Sequence, residues 1–378
     1  MQRKILIVFA FLIWPLLHFG QHKKDGNTSK EQVFKTTVWA EDENKIFAHF
    51  VYGLTVTDKG TILAFAEARI KDGADDGAHH IVFKRSTDKG ISFSESKIVV
   101  ESTQEQSWAN PTVVQDQQTK EIFLFYALNH KNVSTQVYFK TSKDDGLSWS
   151  AATEITSLFT ENAHEWTFHL PGPGHGIQLK NGRLIIQVWH RKSISFATAE
   201  RKYGVNCVYS DNHGKTWKLG GDTPVGELNE SQIVEQKNGD ILLIGRTITG
   251  SLGSHQAKVW SYDNGTTWTQ QMKYDTALGG KMCDVGVINY SSEEKMLLVS
   301  QPTDPKKRMN LTIRLSTDEG KTWKVNKLLE EGGATYSDLA ILPDKSIICL
   351  YGNGGTNHMP QKVSLARFSL KWLQQNGK

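Results

Sequence analysis

The octapeptide Ser316-Thr317-Asp318-Glu319-Gly320-Lys321-Thr322-Trp323 recurs, with small changes, along almost the whole chain. Ser142 to Trp149 (SKDDGLSW) and Ser261 to Trp268 (SYDNGTTW) keep the pattern S-x-D-x-G-x-[ST]-W, Ser86 to Phe93 (STDKGISF) closes on Phe, and Ser210 to Trp217 (SDNHGKTW) carries Asn212 at the third place. Each copy is a turn in chemical terms. The Asp or Asn side chain accepts a bond from backbone a short way on, and Gly takes the positive φ that such turns need. The closing aromatic is expected to fold back over the turn. The starting serines stand 56, 68, 51 and 55 residues apart, a mean of about 57, and repetition at that period means stacked units.

Between the turns lie short apolar runs bounded by Gly, Asn and Asp, such as Gly60 to Ala66, Glu121 to Tyr126, Gly182 to Trp189, Gly239 to Gly245 and Lys295 to Ser300, which read as β-strands. No long run has a helical period. The length beyond a leader divided by the period gives roughly six units, and four-stranded units of that size are propeller blades. A β-sandwich would also be rich in short strands, but it has no reason to repeat one turn sequence five times. The expectation is an all-β, six-bladed β-propeller over residues 35–375, with no linker inside it.

The 378 residues are 22% charged and 38% hydrophobic, ordinary for a globular chain with material for a core. A net charge of +4 without Lys/Arg runs supports neither nucleic-acid nor membrane-surface binding. Residues 1–20, with Arg3 and Lys4 before the apolar run Ile5 to Phe19, read as a secretory signal peptide and predict export to a periplasm or the medium, with no membrane span once it is removed. Residues 21–34 read as a flexible polar segment. Cys207, Cys283 and Cys349 are too few and too widely spaced for a disulfide scaffold.

The repeated turns resemble the Asp boxes of the sialidase (neuraminidase) family. Further stretches match its bacterial and animal members in order: Thr55 to Arg69, Asn110-Pro111-Thr112, Gly172 to Leu179, Asn229-Glu230-Ser231-Gln232 and Tyr336-Ser337-Asp338-Leu339. The resemblance covers about residues 35–375. It implies an exo-acting glycoside hydrolase that releases terminal sialic acid, or a closely related acidic sugar, from glycans with retention and without cofactor. In such a substrate the anomeric carbon bears a carboxylate, so a carboxylate nucleophile would meet like charge at close range. A neutral tyrosine activated by a base avoids this. Tyr336 matches the family's nucleophile, Glu230 its base, and Asp75 the acid/base, with Asp72 and Asp76 of the same loop as alternatives. Arg246 and Arg308 match two arms of the carboxylate clamp, and Arg69 a pocket-lining arginine. His79-His80 invites a zinc reading, but no third ligand stands at a convincing spacing. His175 reads as structural.

The chain departs from the pattern in two places. Phe50 stands where the family's first clamp arginine belongs, and Gly352 follows Leu350-Tyr351 where a glutamate usually braces that arginine. Loss of both is chemically consistent, since an arginine lost alone would strand a carboxylate. One charge-assisted hydrogen bond contributes about 1.5–3 kcal/mol, roughly ten- to a hundred-and-fifty-fold in binding, so two arginines still suffice to hold a carboxylate. Two alternatives accompany the leading reading: a hydrolase for another ulosonic acid, and a non-catalytic glycan-binding propeller.

Overall fold

The structure is a computed structural model, described for residues 32–161, 164–192, 202–248, 255–280, 283–355 and 358–375. The predicted signal peptide, and all but the last three residues of the segment 21–34, lie outside these. The described strands group into six antiparallel meanders. The first holds Ala48–Val56, Ile62–Arg69, His79–Ser86 and Lys97–Val100, and the second opens with Ser107–Gln115. The third has its inner strand split into Phe168–Pro171 and Ile177–Gln178. The fourth runs from Leu228–Glu235 to Lys273–Gly279. The long strand Val325–Ile341 serves the fifth with its first half and the sixth with its second. Phe34–Trp39, from the other end of the chain, pairs antiparallel with Lys362–Phe368 and completes the sixth sheet. The two termini of the propeller are thereby tied by one ladder, so the ring has no free end. This is the expected β-propeller. One short helix, Leu370–Gln374, comes after it, capped by Ser369 Oγ accepting from Trp372 N.

The five repeated turns each connect the third strand of a sheet to the strand after it. In the last copy Ser316 Oγ accepts from Gly320 N at 2.8 Å, Asp318 accepts from Thr322 N at 2.8 Å, and Thr322 Oγ1 donates to Asp318 at 2.6 Å. The other copies repeat the bonds, Asn212 substituting for Asp. Trp323 lies over its own turn, where a side-chain carbon on Gly320 would stand 3.6 Å from its ring. The closing aromatics also reach the preceding sheet, which the sequence did not suggest: Trp149 stands edge-on to Phe65 and Phe83, Trp217 to Phe123 and Phe125, and Trp323 Nε1 donates to Asp275 at 2.9 Å. A turn of eight residues offers too little apolar surface to bury an indole, whereas the neighbouring sheet offers a full face.

The box glycines abut the same neighbour. A side-chain carbon on Gly214 would stand 2.1 Å from Phe123, and on Gly265 2.3 Å from Ile185. Each repeat is thus the clasp between consecutive sheets. Cys207, Cys283 and Cys349 are buried free thiols.

At the centre, Asp338 ties the sheets together. Its carboxylate accepts from Leu54 N of the first sheet at 3.0 Å, from Gln232 Nε2 of the fourth at 3.0 Å, and pairs at 2.7 Å with His175 Nδ1, on the short segment Gly174–His175 that runs parallel to the inner strand of the second. Gln232 Oε1 in turn accepts from Val287 N of the fifth. Burial opposes charge on His175, but Asp338 outweighs it and raises the imidazole pKa, so His175 is the structural residue the sequence suggested.

Gly214→Ala is expected to cost about 1–2 kcal/mol for the left-handed backbone at φ +77°, and about 1–3 kcal/mol more for the clash with Phe123. Gly239→Ala, at φ +92° with no atom within 4 Å, carries only the first cost. Urea unfolding of the two variants side by side measures the difference, and equal losses would contradict the clasp.

Candidate active site

Four inner strands carry a one-residue β-bulge, and the bulges lie on one side of the ring. The register slips between Phe50 and Tyr52, between Ala109 and Thr112, between Leu228 and Ser231, and between Ala334 and Ser337. A bulge bends its strand and re-aims a side chain out of the pleat. Val51 at φ +52° and Asn110 at φ +57° sit in two of them; for a β-branched residue such as Val51 this is a strained conformation, of the kind found at functional sites. The other two bulges deliver Glu230 and Tyr336.

All six residues singled out from the sequence line one cavity of about 520 Å³. Tyr336 Oη donates to Glu230 Oε1 at 2.5 Å. Arg246 Nη1 is ion-paired with Glu230 Oε2 and donates to Tyr336 Oη at 2.9 Å, while the Arg308 guanidinium lies 5.2 Å from the Tyr336 ring centre. Burial, reinforced by the Glu230 charge, pushes the Tyr336 hydroxyl well up, against the pull of the two arginines. The phenol is neutral at rest, with a carboxylate placed to take its proton. Burial works against the charge of Arg246, but Glu230 and Tyr336 outweigh it and raise its pKa.

Across the cavity, Asp75 projects from the loop between Ile62–Arg69 and His79–Ser86. Its side chain is 76% exposed and pairs with Arg69 Nη1 at 2.9 Å. Asp72 instead accepts from Ala74 N within the loop, and neither it nor Asp76 lines the cavity. Arg69 is buried, and its Nε and Nη2 reach Glu67 Oε2 at 3.2 and 3.0 Å. Glu67 Oε1 accepts from Asn110 N at 2.9 Å. The chain Asn110, Glu67, Arg69, Asp75 therefore runs from a bulge to an exposed carboxylate. Glu67 escaped the sequence reading, although a lone acid inside the buried run Ile62–Arg69 is itself a signal, because an isolated carboxylate there would be costly. Burial pushes it up to about 7, with Arg69 and the Asn110 N–H opposing.

His79 and His80 open a strand rather than sit in a loop. His79 Nε2 contacts Ala74 O at 2.9 Å and steadies the Asp75 loop, and burial followed by the Arg69 charge lowers its pKa to about 4. His80 Nδ1 accepts from Ser102 N. Phe50 fills the wall between two of the expected site residues: its ring lies 4.7 Å from the Tyr336 ring and 4.9 Å from the Arg69 guanidinium carbon. At Gly352 a side-chain carbon would stand 2.3 Å from both Tyr52 Oη and Thr335 Oγ1. The space a brace for an arginine would need is occupied by a buried tyrosine. A further wall, of Phe168, Leu170 and Trp189 with Arg191 stacked 3.6 Å over Phe168, had no recognisable signal in the sequence.

A ring of Asp-box sheets around a cavity holding a paired Tyr and Glu, arginines and an exposed Asp defines a sialidase-type propeller. Residues 60–349 match the family model for the BNR repeat-like domain. The chain is 30% identical over 354 residues to the sialidase of Micromonospora viridifaciens, covering 85% of this chain and 51% of that protein. It is 26% identical over 358 residues to a sialidase of Bacteroides fragilis (strain YCH46), covering 86% and 63%. The chain thus spans between half and two thirds of the length of these relatives. The fold is also that of the Hadza microbial sialidase Hz136, with a TM-score of 0.78 at 24% identity, covering 90% of this chain and 69% of that one. The protein belongs to the sialidase family and carries its BNR repeat-like domain.

Because Glu67 binds its proton more tightly folded than unfolded, its contribution to stability is greatest below the ordinary glutamate pKa near 4.5 and is lost as pH rises toward about 7. Thermal melts of the parent chain and Glu67→Gln across pH 4.5–7.5 are expected to show the parent losing ground by a few kcal/mol over that window. A constant gap would mean that Glu67 stays ionised throughout.

Proposed function

We propose that the protein is a retaining exo-glycosidase that releases a terminal acidic sugar, sialic acid or a related ulosonic acid, from glycans. The observation that carries this reading is the buried Tyr336–Glu230 hydrogen bond, with Arg246 on both partners and Asp75 in the same cavity. Glu230 takes the phenolic proton as Tyr336 Oη attacks the anomeric carbon, and Asp75 gives a proton to the departing oxygen. The glycosyl–tyrosine bond is then broken by a water that Asp75 deprotonates, while Glu230 returns its proton to the phenolate. Two displacements give retention. Arg246 and Arg308 hold the substrate carboxylate and also steady negative charge on the phenolate. A glycan-binding module without turnover has no use for a base at 2.5 Å from a buried phenol.

Phe50 favours the wider substrate description over sialic acid alone. An apolar ring against Tyr336 and Arg69 leaves the carboxylate to two arginines and offers apolar contact to the sugar. Restoring a glutamate at Gly352 is blocked by Tyr52 and Thr335, so the arrangement is a rebuilt wall rather than two separate losses.

Released reducing sugar from α-ketosides of N-acetylneuraminic acid, its deaminated analogue and shorter ulosonic acids checks the reading, with the first-formed anomer followed by NMR. Retention is expected, with activity abolished in Tyr336→Phe and reduced about 10²–10⁴-fold in Glu230→Gln. Full activity in Tyr336→Phe would sink the proposed mechanism. Phe50→Leu is expected to keep the fold and shift the relative kcat/KM among the acids, and an unchanged ranking would remove Phe50 from substrate selection.

A further inference from the structure

A second cavity of about 560 Å³ adjoins the first and shares Arg308, His358 and Met359 with it. Its lining is basic. Lys306, Lys307 and Arg308 stand one after another on the loop between the strands Met296–Pro302 and Met309–Ser316, and no acidic residue is among the lining. Asp304 is near in sequence, but its carboxylate is engaged by Lys306 N and Lys307 N, both at 2.8 Å, and these backbone donors hold its pKa low. Its role is to shape the loop. Among the described residues neither lysine ammonium is in an ion pair. The rest of the cavity includes Gly333, Gly354 and Gly355, where the chain packs on itself too closely for side chains: a side-chain carbon on Gly333 would stand 2.9 Å from Gly354 O, and on Gly355 2.2 Å from Met359 O.

Met359 fixes the position of this cavity relative to the chemistry. A side-chain carbon on Gly73 would stand 3.1 Å from Met359 Cγ and 3.2 Å from Sδ, so Met359 lies against the loop that carries Asp75, and it lines both cavities. Met359 thus borders both the Asp75 loop and the second cavity.

We propose that this cavity is a subsite for an anionic leaving group: a sugar next to the scissile bond that bears a carboxylate or a sulfate. The inference rests on the hydrolase reading above for the direction in which the leaving group departs, and on the lysines for its charge. The first cavity takes the terminal acidic sugar. The second takes the next unit, with Lys306 and Lys307 reaching its anionic group. The preferred substrates are then glycans with two consecutive acidic units, or with a sulfated penultimate sugar, rather than chains ending in a single acid on a neutral hexose. Two solvent-exposed lysines contribute modestly, each within the range of exposed ion pairs, and the effect weakens with salt.

Binding is measured by calorimetry on the full chain carrying Tyr336→Phe, so that no turnover intervenes. The ligands share one terminal acidic sugar and differ in the next unit: a neutral hexose, a sulfated hexose, or a second acidic sugar. The expected result is three- to tenfold tighter binding of at least one anionic ligand at low salt, with the better of the two identifying the source of the charge. That preference disappears when Lys306→Ala and Lys307→Ala are added, and reverses with Lys306→Glu and Lys307→Glu, while the neutral ligand binds as before. Equal affinity for all three ligands, no binding of any, or a preference unchanged in the lysine variants overturns the proposal. Failure of the unsubstituted chain to release the acid from any of the three glycans counts against the hydrolase reading alone, because the subsite is read without turnover.

Discussion

The carboxylate of Asp338 is the constraint on which the arrangement depends. It stands two residues after Tyr336 on the same strand and is bonded to Leu54, His175 and Gln232 from three other sheets, with Gln232 passing the connection to Val287 in a fourth. A buried charge is tolerated only when it is paired and its lone pairs are satisfied. Satisfying Asp338 requires the first, second, fourth and sixth sheets to meet at one depth along the axis. The inner strands are therefore held in register where they pass the centre, and the residues just before that point, Glu230 and Tyr336 among them, face the same cavity.

The bulges convert that register into a site. A regular strand presents alternate residues to alternate faces, which would direct Tyr336 and Glu230 toward the sheet-on-sheet interface rather than the central cavity. One extra residue in each of four inner strands breaks the alternation at the same level. The cost is backbone strain at Val51 and ladder bonds forgone, offset by the clasps between sheets and by the end-to-end ladder that closes the ring.

Charge in the cavity is arranged in two groups. On one side Arg246 bridges Glu230 and Tyr336; on the other Arg69 bridges Glu67 and Asp75. Arg69 is already shared by two carboxylates, so its charge orients Asp75 and is largely compensated within the protein. Arg246 and Arg308 lie beside Tyr336, and Phe50 keeps the wall between the two groups apolar. The buried Tyr336 hydroxyl and the exposed Asp75 carboxylate thereby lie in contrasting surroundings within one cavity.

The sequence by itself determined the architecture and most of the polar site. A turn whose Asp, Gly and Ser or Thr bond one another locally is written in eight residues, so its repetition and spacing are visible without coordinates, and the family pattern then pointed to Tyr336, Glu230, Asp75, Arg246, Arg308 and Arg69. The tertiary structure decided what depends on pairs distant in the chain. The box aromatics turned out to seal neighbouring sheets, Phe34–Trp39 to close the ring, Glu67 to join Arg69 to Asn110, and Tyr52 to fill the space beside Gly352. None of these could be read locally, because strand pairing, bulge position and side-chain clash are set by which residues meet across the ring, and a linear pattern carries no distance between residues as far apart as Leu54 and Asp338.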